Sequence, residues 1–231
     1  EYLSWRMNEV GGAFVQAESE LAGINMVIGA SSCGVRALTA SSGPGISLKQ
    51  EGISTLCDEG LPAVVITQVR YGNGLGTLFT SQCDYHRETR GGGQGDYRCI
   101  VLCPSSIQEF VDLMLPAYEL AEKYRIVTIM MGEGTLGQMM EPVELPDFVE
   151  PKRTPWALNG HYTYKKIGIF ERDSMAEAVE LRAKYAEIKE NEQRWEEEDI
   201  ADADYVFVAY GVPGRATLGA VRELRAAGEK V

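Results

Sequence analysis

Two acidic residues, Glu18 and Glu20, stand where a short apolar run gives way to a helical pattern. In an open α/β sheet, ligands bind at the carboxyl ends of strands, so a carboxylate at this junction can face a cleft and handle a proton. Acids also suit the first turn of any helix, because they complement the positive end of its dipole. The pattern alone leaves both interpretations, and both acids, open.

An arginine and two glycine-rich segments follow the next strands. Arg70 ends a buried strand, where a guanidinium can clamp a carboxylate, with a surface ion pair as the alternative. The turn at 41–45 (SSGPG) allows backbone to approach a ligand, which makes Ser42, Gly43 and Pro44 candidates for cofactor contacts. The 91–96 loop (GGGQGD) has more glycine than a simple connector needs, with a mobile turn as the alternative.

Short apolar strands alternate with amphipathic helices along the first part of the chain. Strands are predicted at 13–15, 35–40, 63–69, 99–103 and 126–131, and helices at 18–31, at 46–57, and from a cap at Ser105 or Ser106 to Tyr124. This alternation predicts an α/β fold with a doubly wound, mostly parallel sheet.

The later part of the chain changes character. We predict a first domain over 1–140 whose start is missing, a proline-containing linker over 141–173, and a truncated second α/β domain over 174–231. The second domain would open with a charged helix at 174–198, a strand at 205–210 and a further helix. The charged helix carries an apolar stripe, formed by Leu181, Tyr185, Ile188 and Trp195.

Composition excludes several classes of protein. The 231 residues carry a formal net charge of −12, which disfavours nucleic acid as a partner, and no apolar run is long enough to cross a membrane. The five cysteines form no CxxC pair, so we expect buried thiols in a reducing, cytoplasmic setting and no metal or cluster site from this chain alone. A dinucleotide-binding domain is disfavoured because GxGxxG is absent after the first strand.

Several ordered motifs carry a resemblance to a known family. The runs VQAESELAGINMVIGA, SSGPGISLKQEGIS, GGGQGDYR, VLCPSSIQEFVDL and AEKYRIVTIM resemble the pyrimidine-binding alpha chain of 2-oxoacid:ferredoxin oxidoreductases, in particular the branched-chain (ketoisovalerate) members. The resemblance covers nearly the whole chain. It implies a thiamine-diphosphate pyrimidine-binding domain followed by the start of a domain like the transketolase C-terminal domain.

The resemblance also implies roles for individual residues. In thiamine enzymes the glutamate that contacts N1′ of the aminopyrimidine has a glycine nine positions on, and Glu20 with Gly29 has that spacing, whereas Glu18 does not. Arg70 matches an arginine near the substrate carboxylate. Asn73 and Gln94 stand where relatives carry other residues, so they are candidates for the substrate pocket.

The implied activity is oxidative decarboxylation of a 2-oxoacid, with 3-methyl-2-oxobutanoate as the leading substrate, to acyl-CoA and CO2 with electrons passed to ferredoxin. Coenzyme A would be the co-substrate. Because Gly95-Asp96 is followed by Tyr97 and no Gly-Asp-Gly occurs, the diphosphate and Mg2+ would be held by a beta subunit. Iron–sulfur clusters would belong to gamma and delta subunits of a hetero-oligomer in anaerobic metabolism.

Three alternatives stay open at this level. The same activity could act on 2-oxoglutarate or pyruvate. The domain could serve a non-oxidative thiamine-diphosphate decarboxylase or synthase, because a fold does not fix a reaction. A non-catalytic scaffold subunit is the third alternative, and retention of Glu20 and Arg70 argues against it.

Overall fold

One parallel sheet organises the chain, of which the computed structural model describes residues 2–150, 154–158 and 174–231. Its four strands are β1 (Leu38–Ser42), β2 (Ala63–Val69), β3 (Ile100–Leu102) and β4 (Val127–Glu133), in the order β1-β2-β4-β3. Parallel neighbours need crossover connections, which helices supply here. The predicted α/β fold with a parallel sheet is confirmed.

Helices fill the crossovers and the later part of the chain. They are α1 (Tyr2–Arg6), α2 (Glu20–Ser32), α3 (Pro44–Glu59), α4 (Tyr85–Arg90), α5 (Ile107–Tyr124), α6 (Ser174–Asn191) and α7 (Gly211–Ala226), with short 3-10 turns at Met7–Val10, Leu136–Gln138 and Ile200–Asp202. Across the described residues, no helix has the length and apolarity to cross a membrane.

The start of α5 is fixed by a capping box. The Ser106 hydroxyl accepts a hydrogen bond from the Glu109 amide at 3.1 Å, and the Glu109 carboxylate accepts one from the Ser105 amide at 2.7 Å. These bonds satisfy amides that the helix itself leaves without partners. The predicted cap is confirmed, with Ser106 as the capping residue and Glu109 completing the box.

The two central strands form the core. Every residue of β4 is buried, and in β2 Val64 and Val65 are fully buried, as expected of strands covered on both faces. Helices α2 and α3 pack closely, because a Cβ added at Gly52 would lie 2.6 Å from a methyl carbon of Ile24. This close contact holds the amino end of α2 beside the carboxyl end of β1, where the candidate site lies.

Two predicted strands are wrong. Residues 13–15 are irregular, with Val15 64% exposed, and residues 205–210 form no ladder, with Val208 96% exposed. An apolar run becomes a strand only when a neighbour offers backbone hydrogen bonds, and neither segment has one among the described residues. Strand β1 also lies two to three residues later than predicted, since it runs to Ser42.

The charged helix forms, but it ends earlier than predicted, at Asn191 instead of 198. Tyr185 and Ile188 of the predicted stripe pack against the core, whereas Trp195 lies beyond the helix and is 67% exposed. Most of the predicted linker's second half, at 151–153 and 159–173, lies outside the described residues. The domain boundaries at 140 and 173 stay a prediction.

Candidate active site

Glu20 is the first residue of α2, and its carboxylate faces the next strand and helix. Ser19 caps the helix, since its hydroxyl accepts a hydrogen bond from the Ala22 amide at 3.2 Å. The half-buried Glu20 carboxylate accepts a hydrogen bond from the Ser41 hydroxyl at 3.3 Å. Glu18 is exposed, so of the two acids that the sequence left open, Glu20 is the one that faces the protein.

The first turn of α3 approaches Glu20 only because residue 45 is glycine. A Cβ added at Gly45 would lie 2.5 Å from Oε1 of Glu20, which no real side chain tolerates. Pro44 occupies the start of the helix, where its missing amide proton costs nothing. The turn of Gly43, Pro44 and Gly45, hereafter the 43–45 turn, therefore brings backbone directly onto the carboxylate.

Arg70 packs against the same turn from the other side. Gly43 has φ of 53°, which favours glycine, and a Cβ there would lie 2.9 Å from Nη2 of Arg70. Arg70 follows β2, and its Nε is buried without a hydrogen-bond partner among the described residues. A buried guanidinium donor of this kind is able to take an acceptor from a ligand.

The structure thus brings Glu20, Gly43, Pro44 and Arg70 together, with Ser42 as the last residue of β1 directly before the turn. Because β1 and β2 are parallel, with Ser42 paired to Gln68, both strands deliver their carboxyl ends to one edge of the sheet. Loops at this edge are where open α/β sheets bind ligands. The set forms a short cleft edge with a carboxylate on one side and a guanidinium on the other.

The two substrate-pocket candidates are placed elsewhere. Asn73 is exposed in the loop after Arg70, where its carbonyl accepts a hydrogen bond from the Gly76 amide. Gln94 is exposed beside the second half of α3, where its carbonyl accepts a hydrogen bond from the Ser54 hydroxyl at 2.6 Å. Neither makes a described contact with the 43–45 turn, and their roles stay predictions.

Tyr97 holds the glycine-rich loop onto α3. Its hydroxyl accepts hydrogen bonds from the amides of Gly92 and Gly93, at 3.2 and 2.9 Å, and donates one to Oε1 of Gln50 at 2.9 Å. A Cβ added at Gly93 would lie 2.5 Å from the carbonyl oxygen of Gln50. Burial raises the pKa of Tyr97, so the phenol stays protonated in this role. The glycines here serve close packing onto a helix.

Sequence reasoning missed two cations at the site. Arg87 of α4 donates a hydrogen bond to the Gly43 carbonyl at 3.3 Å, and its charge is balanced by Asp84 and Glu88, at 2.9 and 2.8 Å. Lys49 of α3 is 3% exposed. Lys49 occupies a position on the apolar stripe of its helix, and a lysine on such a stripe is the signal that could have revealed it.

The site fits the aminopyrimidine half of thiamine diphosphate. A carboxylate with one protein donor retains lone pairs for a ring nitrogen and its proton. Backbone at the 43–45 turn has no side chain between it and the carboxylate. Within the described residues, no group of three or more His, Cys, Asp and Glu side chains is arranged to hold a metal ion.

A family profile matches residues 2–204. It is described as "Pyruvate flavodoxin/ferredoxin oxidoreductase, thiamine diP-bdg", that is, thiamine diphosphate-binding. The match covers most of the chain, and the chain therefore belongs to this family. The resemblance inferred from the sequence motifs is confirmed.

Two curated relatives sharpen this membership. The chain is 49% identical over 229 residues to the ketoisovalerate oxidoreductase subunit VorB of Methanothermobacter marburgensis, a match that covers 96% of this chain and 65% of that protein. It is 34% identical over 261 residues to the 2-oxoglutarate synthase subunit KorA of Methanocaldococcus jannaschii, covering 99% of this chain and 70% of that protein. The chain thus spans just under two thirds of the length of the VorB relative.

A solved structure supports the fold. The 2-oxoglutarate:ferredoxin oxidoreductase from Magnetococcus marinus, with 2-oxoglutarate, coenzyme A and succinyl-CoA bound, superposes with a TM-score of 0.84 at 24% identity. The superposition covers 100% of this chain and 46% of that chain. At this identity the likeness supports the shared fold and no further detail.

Proposed function

We propose that the chain is the pyrimidine-binding part of a thiamine-diphosphate-dependent 2-oxoacid:ferredoxin oxidoreductase. The observation that carries the proposal is the pair formed by Glu20 and Arg70, which contact opposite sides of one glycine-containing turn at the carboxyl edge of the sheet. Membership of the family supports it. The reaction would convert a 2-oxoacid and coenzyme A into acyl-CoA and CO2, with electrons passed to ferredoxin.

Glu20 would hold a proton at N1′ of the aminopyrimidine. Bound thiamine diphosphate supplies the carbanion-stabilising chemistry, and the protein supplies orientation and electrostatics. The Ser41 hydroxyl donates to Oε1 and leaves Oε2 to face the ring. Gly45 removes the side chain that would otherwise block the carboxylate, so the carboxylate and the ring nitrogen can meet directly.

Arg70 would bind the carboxylate of the 2-oxoacid. Its guanidinium is held against Gly43, and its backbone carbonyl accepts a hydrogen bond from the Cys83 thiol at 3.4 Å. A fixed guanidinium binds a carboxylate with charge-assisted hydrogen bonds, which orient the 2-oxo carbon. Asn73 and Gln94 would line the outer part of the substrate pocket when partner chains are present.

The remaining parts of the cofactor site would come from other chains. The sequence has no Gly-Asp-Gly, so a beta subunit would hold the diphosphate and Mg2+. Gamma and delta subunits would carry the iron–sulfur clusters that pass electrons to ferredoxin. All five cysteines are free thiols, which supports a reducing, cytoplasmic location.

The chain would comprise a pyrimidine domain at 1–140, a linker at 141–173 and the opening of a second domain at 174–231. The leading substrate is 3-methyl-2-oxobutanoate. The higher identity to the ketoisovalerate relative, 49% against 34% for the 2-oxoglutarate relative, supports this choice.

The test is an assay of the complete subunit co-expressed with its partner chains. Viologen reduction is measured with thiamine diphosphate, coenzyme A and either 3-methyl-2-oxobutanoate, 2-oxoglutarate or pyruvate. We expect reduction that depends on both thiamine diphosphate and coenzyme A, with the branched acid giving the highest kcat/KM. Release of CO2 without viologen reduction would identify a non-oxidative enzyme, and absence of thiamine diphosphate binding would identify a scaffold.

A further inference from the structure

Lys49 is a cation in the core of the protein. It is 3% exposed on α3, on the same stripe as Ile46 and Leu56, which are both fully buried. Removing an ammonium from water costs free energy unless hydrogen bonds and opposite charge offset the loss. A lysine in this position therefore requires a compensating interaction.

The direct hydrogen-bond partners of Lys49 are neutral. Its Nζ donates to the Thr39 hydroxyl at 2.6 Å and to the Ala40 carbonyl at 3.1 Å, both on β1. These bonds satisfy two of the three N–H groups of the ammonium. They leave the positive charge itself without a carboxylate in direct contact among the described residues.

The carboxylate that acts on Lys49 is Glu20. Burial lowers the pKa of Lys49, and the negative charge of Glu20 opposes that change. The geometry agrees, because Thr39 and Ala40 directly precede Ser41, whose hydroxyl donates to Glu20. The Thr39 hydroxyl also lies 3.8 Å from where a Cβ would stand at Gly23, on the first turn of α2 after Glu20.

We infer that Lys49 is the buried counter-charge of Glu20, a positioning residue that favours the ionised carboxylate at the aminopyrimidine. The inference rests on the proposed function of Glu20. Lys49 would act through space across β1 and would not touch the cofactor. Glu20, on α2, is the ionisable group that acts on Lys49; its contacts on β1 are neutral.

The competing explanation is that Lys49 only fastens α3 to β1. A neutral donor could fasten the helix without the cost of a buried charge. The two explanations differ in what they require. Fastening requires hydrogen bonds, whereas a counter-charge requires the positive charge.

The experiment compares Lys49→Met, which keeps the apolar stem but removes both hydrogen bonds and charge, with Lys49→Gln, which keeps a neutral donor. Lys123→Met is the control, since it removes a half-exposed lysine at the far end of α5. Each complete complex is loaded with thiamine diphosphate. The circular dichroism band of the imino form of the bound pyrimidine is recorded against pH without substrate, together with kcat and KM for the oxoacid.

We expect both Lys49 variants to lower kcat about tenfold, with KM little changed, which corresponds to about 1.4 kcal/mol. The acidic limb of the pH profile and of the dichroism band should move to higher pH by the same amount in both. The control should match the wild type. Equal profiles for the wild type and both variants, with only melting temperatures lowered, would leave Lys49 as a fastener and overturn the inference.

A second measurement uses the lysine in place. If neither Lys49 variant assembles, Glu20→Gln in the wild-type background removes the opposite charge that supports the ammonium. The alkaline rise in stability that accompanies loss of the Lys49 proton should then begin at lower pH, and an unchanged profile would overturn the inference. Retained activity in Glu20→Gln would instead count against the proposed function, so the two failures are distinguishable.

Discussion

Two carboxylates at the same edge of the sheet show what separates a reactive acid from a structural one. Glu20 is half-buried and has one side-chain donor, the Ser41 hydroxyl at 3.3 Å. Glu133, the last residue of β4, is 5% exposed and accepts hydrogen bonds from Gln82 at 2.7 Å, from Thr80 and from the Val212 amide. One carboxylate retains capacity for a ligand, and the other has used it within the protein.

The comparison is close because both acids use the same device. Gly45 lies in the first turn of α3, and Gly211 begins α7; a Cβ at either position would lie 2.5 Å from the facing carboxylate oxygen. A glycine at a helix start therefore admits a carboxylate in both places. The difference is Gln82, whose amide also donates to the Tyr210 carbonyl at 3.1 Å and locks Glu133 to α7. Burial and hydrogen-bond saturation, more than position in the fold, distinguish the two roles.

The largest effect should come from Glu20→Gln. An amide keeps the size of the side chain but cannot hold the N1′ proton as a carboxylate does, so kcat should fall by about 10²- to 10⁴-fold while the complex still assembles. Steady-state kinetics and size-exclusion chromatography of the complex measure the two properties. Glu133→Gln is the matched control and should keep most of the activity. Near-normal turnover in Glu20→Gln would remove it from the site.

Arg70→Ala should give the next largest effect. Loss of charge-assisted hydrogen bonds to the substrate carboxylate should raise KM for the oxoacid roughly 10- to 100-fold. The measurement is kcat and KM in the viologen assay. Arg90→Ala, at an exposed position of α4, should leave KM unchanged. Equal KM values for the wild type and Arg70→Ala would show that the substrate carboxylate is bound elsewhere.

Gly45→Ala tests the glycine device at the reactive acid. The added methyl would displace the Glu20 carboxylate, and we expect kcat to fall about tenfold with folding retained. Gly219→Ala in α7 is the control, since a Cβ there meets nothing within 4 Å and should stabilise the helix by about 0.5–1 kcal/mol. Thermal unfolding and turnover are measured for both. Unchanged kcat in Gly45→Ala would separate Glu20 from the 43–45 turn.

The smallest effect concerns Glu133 and pH. Burial raises the pKa of Glu133 above its ordinary value of 4.5, so the folded protein binds a proton at this site more tightly than the unfolded chain does. The contribution of Glu133 to stability should therefore grow as pH falls through the raised pKa towards 4.5. Unfolding free energies of wild type and Glu133→Gln, compared from neutral to mildly acidic pH, should diverge in favour of wild type. A constant difference would contradict this.

Local signals predicted the core elements well. The strand at 63–69 was predicted from a run of β-branched residues and has the same bounds in the structure. The cap of α5 and the placement of Glu20 at a helix start also depend on residues close in sequence. Such features are encoded within a few positions, and a single sequence is enough to find them.

Features that depend on distant residues were not predicted. Lys49 and Glu133 become meaningful only when β1 and α7 pack against them, and Gln82 reaches the carbonyl of residue 210 from 128 positions away. The false strand at 205–210 fails for the same reason, because an apolar run does not say whether a neighbouring strand is available. The sequence predicted which residue types matter near Glu20, but their partners required the fold.

The hydroxyl of Tyr97 has a consequence for how the site can open. Glycine content suggests a supple loop, yet one phenol ties two successive amides of that loop to a glutamine of α3. Swinging this loop outward would break all three bonds together, so it behaves as a latched wall instead of a flap. Access for a substrate must then be set by the segment after Arg70, whose Leu75, Leu78 and Phe79 are each at least 75% exposed.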